Sequence, residues 1–458
     1  MRRDSRKPQI RRSLVVLVGV AVLAVLAGCG GLDSALHQPL EQDPATDQIG
    51  WENGYWYDES VSVTTDDGLN ESEREAVLAR TMARVEQIRD LEFEGNVTLE
   101  VITRDEYRNR STGLGVSGDP WNEQVWEGLL LVGEDRQVES AFGDTFNSSV
   151  QGYYAPGNDS IVIVSDSETP TIDRGTLAHE LVHALQDQEG GLAGSPPTQD
   201  RQLASQSVTE GEANYVQGQY ERRCQNGRWQ CLEKPPRAQS GGGQATDGVF
   251  LVIYQPYATG PQFVDQVRQS GGWDAVTGLY DAPPNSTEQV IHPGTYPDEQ
   301  PVTVTVDDRS SAEWSRFDHD PVADTIGEAS IYGMFVVHGE ANVPRDEVYE
   351  YQSGPSAGWA GDVLVPYHNG SGDGADAAGY GYVWETRWDT ERDARQFESA
   401  HRSILEGRAA ERPGENVYVL PESDPYGDAF RVVRDGQRVT IVNAPSRAKL
   451  SGIHEHDG

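Results

Sequence analysis

Between Leu177 and Leu185 the chain reads Leu-Ala-His-Glu-Leu-Val-His-Ala-Leu, apolar everywhere except at His179, Glu180 and His183. So apolar a segment is predicted to be a buried helix, extending over about 171–188 and closed by Gly190-Gly191. Burying two imidazoles and a carboxylate is costly unless something satisfies them. Residues at i and i+4 share one face of a helix, so both imidazoles can reach one metal ion, with Glu180 beside it. That is the physical content of a His-Glu-x-x-His motif: two ligands and a carboxylate placed to take a proton from metal-bound water.

Two histidines leave zinc short of a third protein ligand. A metzincin arrangement would need Gly and His where Gln186 and Glu189 stand, and Asp187 continues the same row of the helix, which cannot converge on a tetrahedral ion. The ligand is therefore expected from a second helix, read from Leu203 to Arg222, which contains Thr209-Glu210-Gly211-Glu212-Ala213. Glu210 and Glu212 project about 200° apart. Leu203, Ser207, Glu210 and Asn214 share a stripe, which favours Glu210 as ligand and Asn214 as its supporting partner.

These motifs resemble the gluzincin metallopeptidases: His-Glu-x-x-His, then Glu-Gly-x-Ala on a second helix, preceded by a Tyr153–Val164 hairpin similar to their substrate-binding edge strand. Over a longer span the chain resembles haloarchaeal cell-surface lipoproteins with a gluzincin-like core. The residues carrying that likeness are Thr176–Glu180, Ser286–Pro293, Gly358–Asp362 and Trp388-Asp389-Thr390. The resemblance implies an α+β fold, Zn2+ held by His179, His183 and Glu210, Glu180 as general base, and a peptide or protein substrate. It also favours His292 over Tyr215 and Tyr220 as the oxyanion donor.

The chain has 74 acidic and 36 basic residues among 458, a net charge of −38, and its only lysines are Lys7, Lys234 and Lys449. No basic field exists to hold nucleic acid. Acid excess with few lysines suits a surface solvated in concentrated salt. Basic residues up to Arg12, an apolar run from Leu14 to Leu26 and the sequence Leu26-Ala27-Gly28-Cys29 read as a signal peptide over 1–28 and a lipobox. The run is too short for a membrane span, which takes about 20 residues. An exported chain anchored to the outer face of the membrane by a lipid on Cys29 is expected, with net charge −43 once residues 1–28 are removed. Outside the cell, Cys224 and Cys231 are expected to form a disulfide. Seven Asn-x-Ser/Thr sequons, beginning at Asn70, Asn96, Asn109, Asn147, Asn158, Asn285 and Asn369, are glycosylation candidates.

The domain plan read from the sequence is an acidic flexible tether over 29–68, a zinc metallopeptidase-like core over 69–305, and a C-terminal α+β region over 306–458. Helices are expected at 71–89, 121–132, 323–337 and 389–405, the last with Asp389 as N-cap, and strands at 96–103, 362–367, 381–386 and 417–420. A hairpin is expected to turn at Asp435-Gly436. Two functional classes follow: a surface-tethered zinc peptidase, or a catalytically silent surface protein that keeps the metal for binding or envelope structure.

Overall fold

A computed structural model describes residues 48–63, 68–110, 118–166, 171–192, 194–234, 248–370 and 379–455. Residues 1–28 and Cys29 lie outside the described residues. Among those described, no helix is long and apolar enough to cross a membrane.

The fold is mixed α+β. Its N-terminal part runs β1 (Trp51–Glu52), β2 (Tyr55–Trp56), α1 (Glu71–Arg89), β3 (Thr98–Thr103), α2 (Arg104–Arg110), α3 (Pro120–Gly128), α4 (Val138–Ser149), β4 (Gly152–Ala155) and β5 (Ser160–Ser165). Four helices follow: α5 (Arg174–Gln188), α6 (Gln199–Gln225), α7 (Gly248–Thr277) and α8 (Thr287–Ile291). The rest comprises β6 (Trp314–Arg316), α9 (Gly327–Val337), β7 (Trp359–Asn369), β8 (Gly379–Trp388), α10 (Glu391–Arg408), β9 (Glu411–Gly414), β10 (Val417–Val419), β11 (Ala429–Asp435), β12 (Arg438–Ala444) and α11 (Leu450–Ile453).

A small sheet, β3-β5-β4, pairs β3 parallel and β4 antiparallel to β5, leaving β4 at an edge. The C-terminal strands form one antiparallel sheet of seven in the order β6-β7-β8-β12-β11-β10-β9. The expected hairpin turns at Gly436-Gln437 between β11 and β12.

Helix α1 spans the expected residues because Asn70 and Glu73 form a reciprocal capping box at its start. Its apolar positions are buried, and so are Arg80, Arg84 and Arg89. Those arginines correct the tether expected over 29–68. Arg84 donates to the Tyr57 carbonyl at 2.7 Å, and buried Glu86 accepts from the Gly50 N–H at 2.8 Å and the Phe93 N–H at 3.0 Å. Residues 48–63 are therefore folded onto α1. Three other expectations shift. Helix α3 stops at Gly128 because Leu130 takes a positive φ of 53°. Helix α9 starts at Gly327, where Asp362 accepts from the Ile326 and Gly327 N–H groups. Helix α10 is capped by Thr390, whose side chain accepts from the Asp393 N–H, and not by Asp389.

The two largest of five apolar clusters among the described residues position the elements. One gathers α1, β5, α5 and α6 around Val85, Ile163, Leu181 and Val216. The other joins Trp121 and Val125 of α3 and Val252 of α7 to Leu364, Trp384 and Phe397, so packing is continuous across the boundary drawn at 305/306.

Helices α6 and α7 cross at two glycines. A Cβ on Gly211 would lie 2.5 Å from the Gly260 carbonyl carbon, and one on Gly260 would lie 2.5 Å from the Ser207 carbonyl oxygen. Neither backbone can yield without separating the helices. We therefore expect Gly211→Ala to cost at least the ~1–3 kcal/mol typical of overpacking. A chemical-denaturation midpoint indistinguishable from wild type would contradict so tight a crossing.

Candidate metal centre

Helix α5 begins where Asp173 accepts from the Gly175 and Thr176 N–H groups. Its apolar residues from Leu177 to Leu185 are all 0–1% exposed, so His179, Glu180 and His183 enter the interior with them. Helix α6 brings Glu210 alongside. The Nε2 atoms of His179 and His183 are 3.1 Å apart, and Glu210 Oε2 lies 3.1 Å from the first and 3.4 Å from the second. Three donor atoms so spaced all lie about 2 Å from one common point, which is the Zn–N and Zn–O bond length. This buried group could hold a metal ion.

Surrounding contacts fix its geometry. His183 Nδ1 is 2.8 Å from the Gln186 amide oxygen, leaving Nε2 to face the group. Gln186 in turn donates to the Thr209 carbonyl at 2.9 Å and to Glu212 at 3.0 Å, tying α5 to α6 beside Glu210. Burial alone would lower His183, but Glu210 and Glu180 beside it push it up to about 9. Burial would raise Glu210, but the two histidines hold it down to about 2. The site is thus set for positive charge beside Glu210, which a dication supplies on displacing the His183 proton.

Glu180 differs from the other three. It is fully buried, and neither carboxylate oxygen has a hydrogen bond of ordinary geometry. Burial pushes it above the usual carboxylate range, Glu210 adds to that, and His179, His183 and the approaching Tyr154 N–H of edge strand β4 oppose it.

The two glutamates of α6 separate as their projection predicts. Glu212 faces away from the histidines and pairs with buried Arg89, and the Tyr280 hydroxyl donates to it at 2.5 Å. Other expectations are corrected. His292 sits at the C-terminus of α8 with Nε2 3.1 Å from Glu328, and no contact ties it to the His179–His183–Glu210 group. Tyr215 packs against Trp273 and accepts from Gln219, while Tyr220 packs against Trp229 with its hydroxyl accepting from Arg84. Asn214 donates to the Tyr257 carbonyl at 3.4 Å rather than supporting Glu210 directly.

Tyr257 is the residue that sequence reasoning missed. It lies on α7 three residues before the Gly260 crossing, hydrogen-bonds Glu210 and stacks on His179 with ring centroids 6.4 Å apart. Its signal was an aromatic stripe, Phe250-Tyr254-Tyr257, whose rings stack in series along α7.

Outside the group, a cavity of about 240 Å³ opens beside Thr209 and Tyr280 and is lined by none of His179, Glu180, His183 and Glu210. The Cys224–Cys231 disulfide is formed, at the end of α6 and just beyond it. Residues 315–454 match a domain of unknown function (DUF8575). That match covers the seven-stranded sheet and stops short of α5 and α6. No curated protein and no solved structure matches the chain.

Glu210 and Glu212 make separable predictions. Glu210→Gln should lose metal. Glu212→Gln should keep its metal in the folded fraction while destabilising the fold by about 3–5 kcal/mol, the usual result of stripping one partner from a buried pair. Metal content and denaturant titration of both variants check this, and metal loss in Glu212→Gln alone would invert the assignment.

Proposed function

We propose that the protein is a zinc-dependent metallopeptidase, exported and held at the cell surface by a lipid on Cys29, that hydrolyses peptide bonds. The observation carrying this reading is Glu180: a fully buried carboxylate that no side chain hydrogen-bonds, next to two histidines aimed at one point. A zinc ion on His179, His183 and Glu210 would acidify a bound water and polarise a substrate carbonyl. Glu180 then takes the proton and returns it to the leaving amine, a role its raised pKa suits. The Tyr257 hydroxyl, which already donates toward Glu210, turns to stabilise the oxyanion in place of His292. Edge strand β4, with the Tyr154 N–H beside Glu180, gives an extended peptide a strand to pair with.

A second reading has its own observation. His179, Glu180, His183 and Glu210 are each no more than 3% exposed, as closed structural metal sites are. In that reading the ion braces α5 against α6 in a surface protein without catalytic activity. Glu180 argues against it, because a structural ion needs no unpaired carboxylate beside its ligands.

One pair of variants separates the readings. His183→Ala should be metal-poor and inactive. Glu180→Gln should be metal-replete yet slower by about 10²-fold or more on any peptide the wild type cleaves. A wild type that holds stoichiometric zinc but cleaves nothing across a broad peptide library in high salt favours the structural reading.

A further inference from the structure

A second cluster of oxygen atoms lies at the seam between the N-terminal part and the seven-stranded sheet. Glu127 lies in the last turn of α3, Glu134 follows in the next loop, and Asp428 precedes β11. One carboxylate oxygen from each lies within 4.8 Å of the others. Glu127 and Asp428 are buried, at 3% and 6% exposure, while Glu134 faces solvent. The seam is tight: a Cβ on Gly133 would lie 2.6 Å from the Pro425 carbonyl oxygen, and the Glu134 N–H donates to that same oxygen at 2.9 Å.

Nothing positive answers this charge. Among the described residues no lysine or arginine forms an ion pair with any of the three carboxyls, and burial, with repulsion between neighbouring carboxyls, pushes Glu127 and Asp428 above the usual carboxylate range. The nearby arginines are committed elsewhere, Arg136 to Asp144 and Arg408 to Asp424. Gln124 donates to one oxygen of Glu127, and the other oxygen is buried without a partner.

Independently, the hydroxyl of Tyr382 on β8 is fully buried with no hydrogen bond. Its ring carbon Cζ lies 3.6 Å from where a Cβ on Gly128 would sit, beside Glu127, and it feels the charges of Glu127 and Asp428. A buried, unpartnered phenol thus lies within electrostatic reach of Glu127 and Asp428.

We propose that Glu127, Glu134 and Asp428 form a second cation site, for a calcium-class ion, that fastens the C-terminal sheet to α3. The donors are all oxygen, without imidazole or thiolate, which selects a hard cation over zinc. Exposed Glu134 is the entrance, and the Tyr382 hydroxyl holds a carboxylate or a water of the ion's shell.

Calorimetric titration of calcium into the chelator-treated full chain tests this. About 2 M KCl in the buffer screens diffuse binding to the acidic surface. One ion per chain is expected, with a rise in Tm on addition. Glu127→Gln and Asp428→Asn should each weaken binding by about tenfold or more and lose the Tm response. Glu134→Gln, on the exposed rim, carries the same test if the buried variants do not fold: weaker calcium with an unchanged calcium-free Tm. Absence of saturable binding by the wild type, or wild-type binding by all three variants, would overturn the proposal. So would a Tm that ignores calcium and rises as pH falls, showing carboxyls that share protons instead of an ion.

Discussion

Helix α6 carries carboxylates on opposite faces of a buried segment, and each must be answered by positive charge or a strong donor before the helix can leave water. Glu210 is answered by His179, His183 and Tyr257, and Glu212 by Arg89, Tyr280 and Gln186. Those partners sit on α1, α5 and α7 and on the turn after α7. The placing of three helices around α6 thus follows from one electrostatic requirement. Gln186 bridges the two faces, touching His183 with its oxygen and Glu212 with its nitrogen.

Close packing sharpens what charge begins. The Gly211–Gly260 crossing lets the α6 and α7 backbones touch, which brings Tyr257 onto Glu210. The glycine after Glu210 is thus a condition for the site. The motifs further along the chain turn out to be architectural. Ser286 caps α8, and Thr287 donates through N–H and hydroxyl to buried Asp200 on α6. Asp362 collects the first N–H groups of α9 and the Trp359 indole, and Thr390 caps α10. They lock the C-terminal sheet against the helices, apart from the candidate metal site on α5 and α6.

How much of this was legible depended on sequence distance. His179, Glu180 and His183 declare themselves because one helix turn brings them together, and the stripe on α6 selected Glu210 over Glu212. The hairpin at 152–164 was legible from its turn residues, and helix α1 from the helical spacing of Val77, Leu78, Met82, Val85 and Ile88. Helix α7 was not, because Pro256 and Pro261 interrupt its pattern, and Tyr257 was lost with it. The acidic stretch before α1 reads as tether by composition, yet Glu86 and Arg84 fold residues 48–63 onto the helix through backbone contacts that leave no trace in local pattern. His292 was favoured by its neighbours in sequence, but its neighbour in space is Glu328. The Arg89–Glu212 pair bridges 123 positions, and no periodicity reports a contact of that range.

The central claim is that His179, His183 and Glu210 grip one ion while Glu180 stands beside it uncoordinated. Anomalous diffraction from crystals of the protein, recorded on both sides of the zinc absorption edge, tests it most directly. One strong zinc peak is expected about 2 Å from His179 Nε2, His183 Nε2 and a Glu210 oxygen, with both Glu180 oxygens outside bonding distance. A zinc-supplemented crystal with no peak there, or a peak coordinated by Glu180 in place of Glu210, would contradict the account.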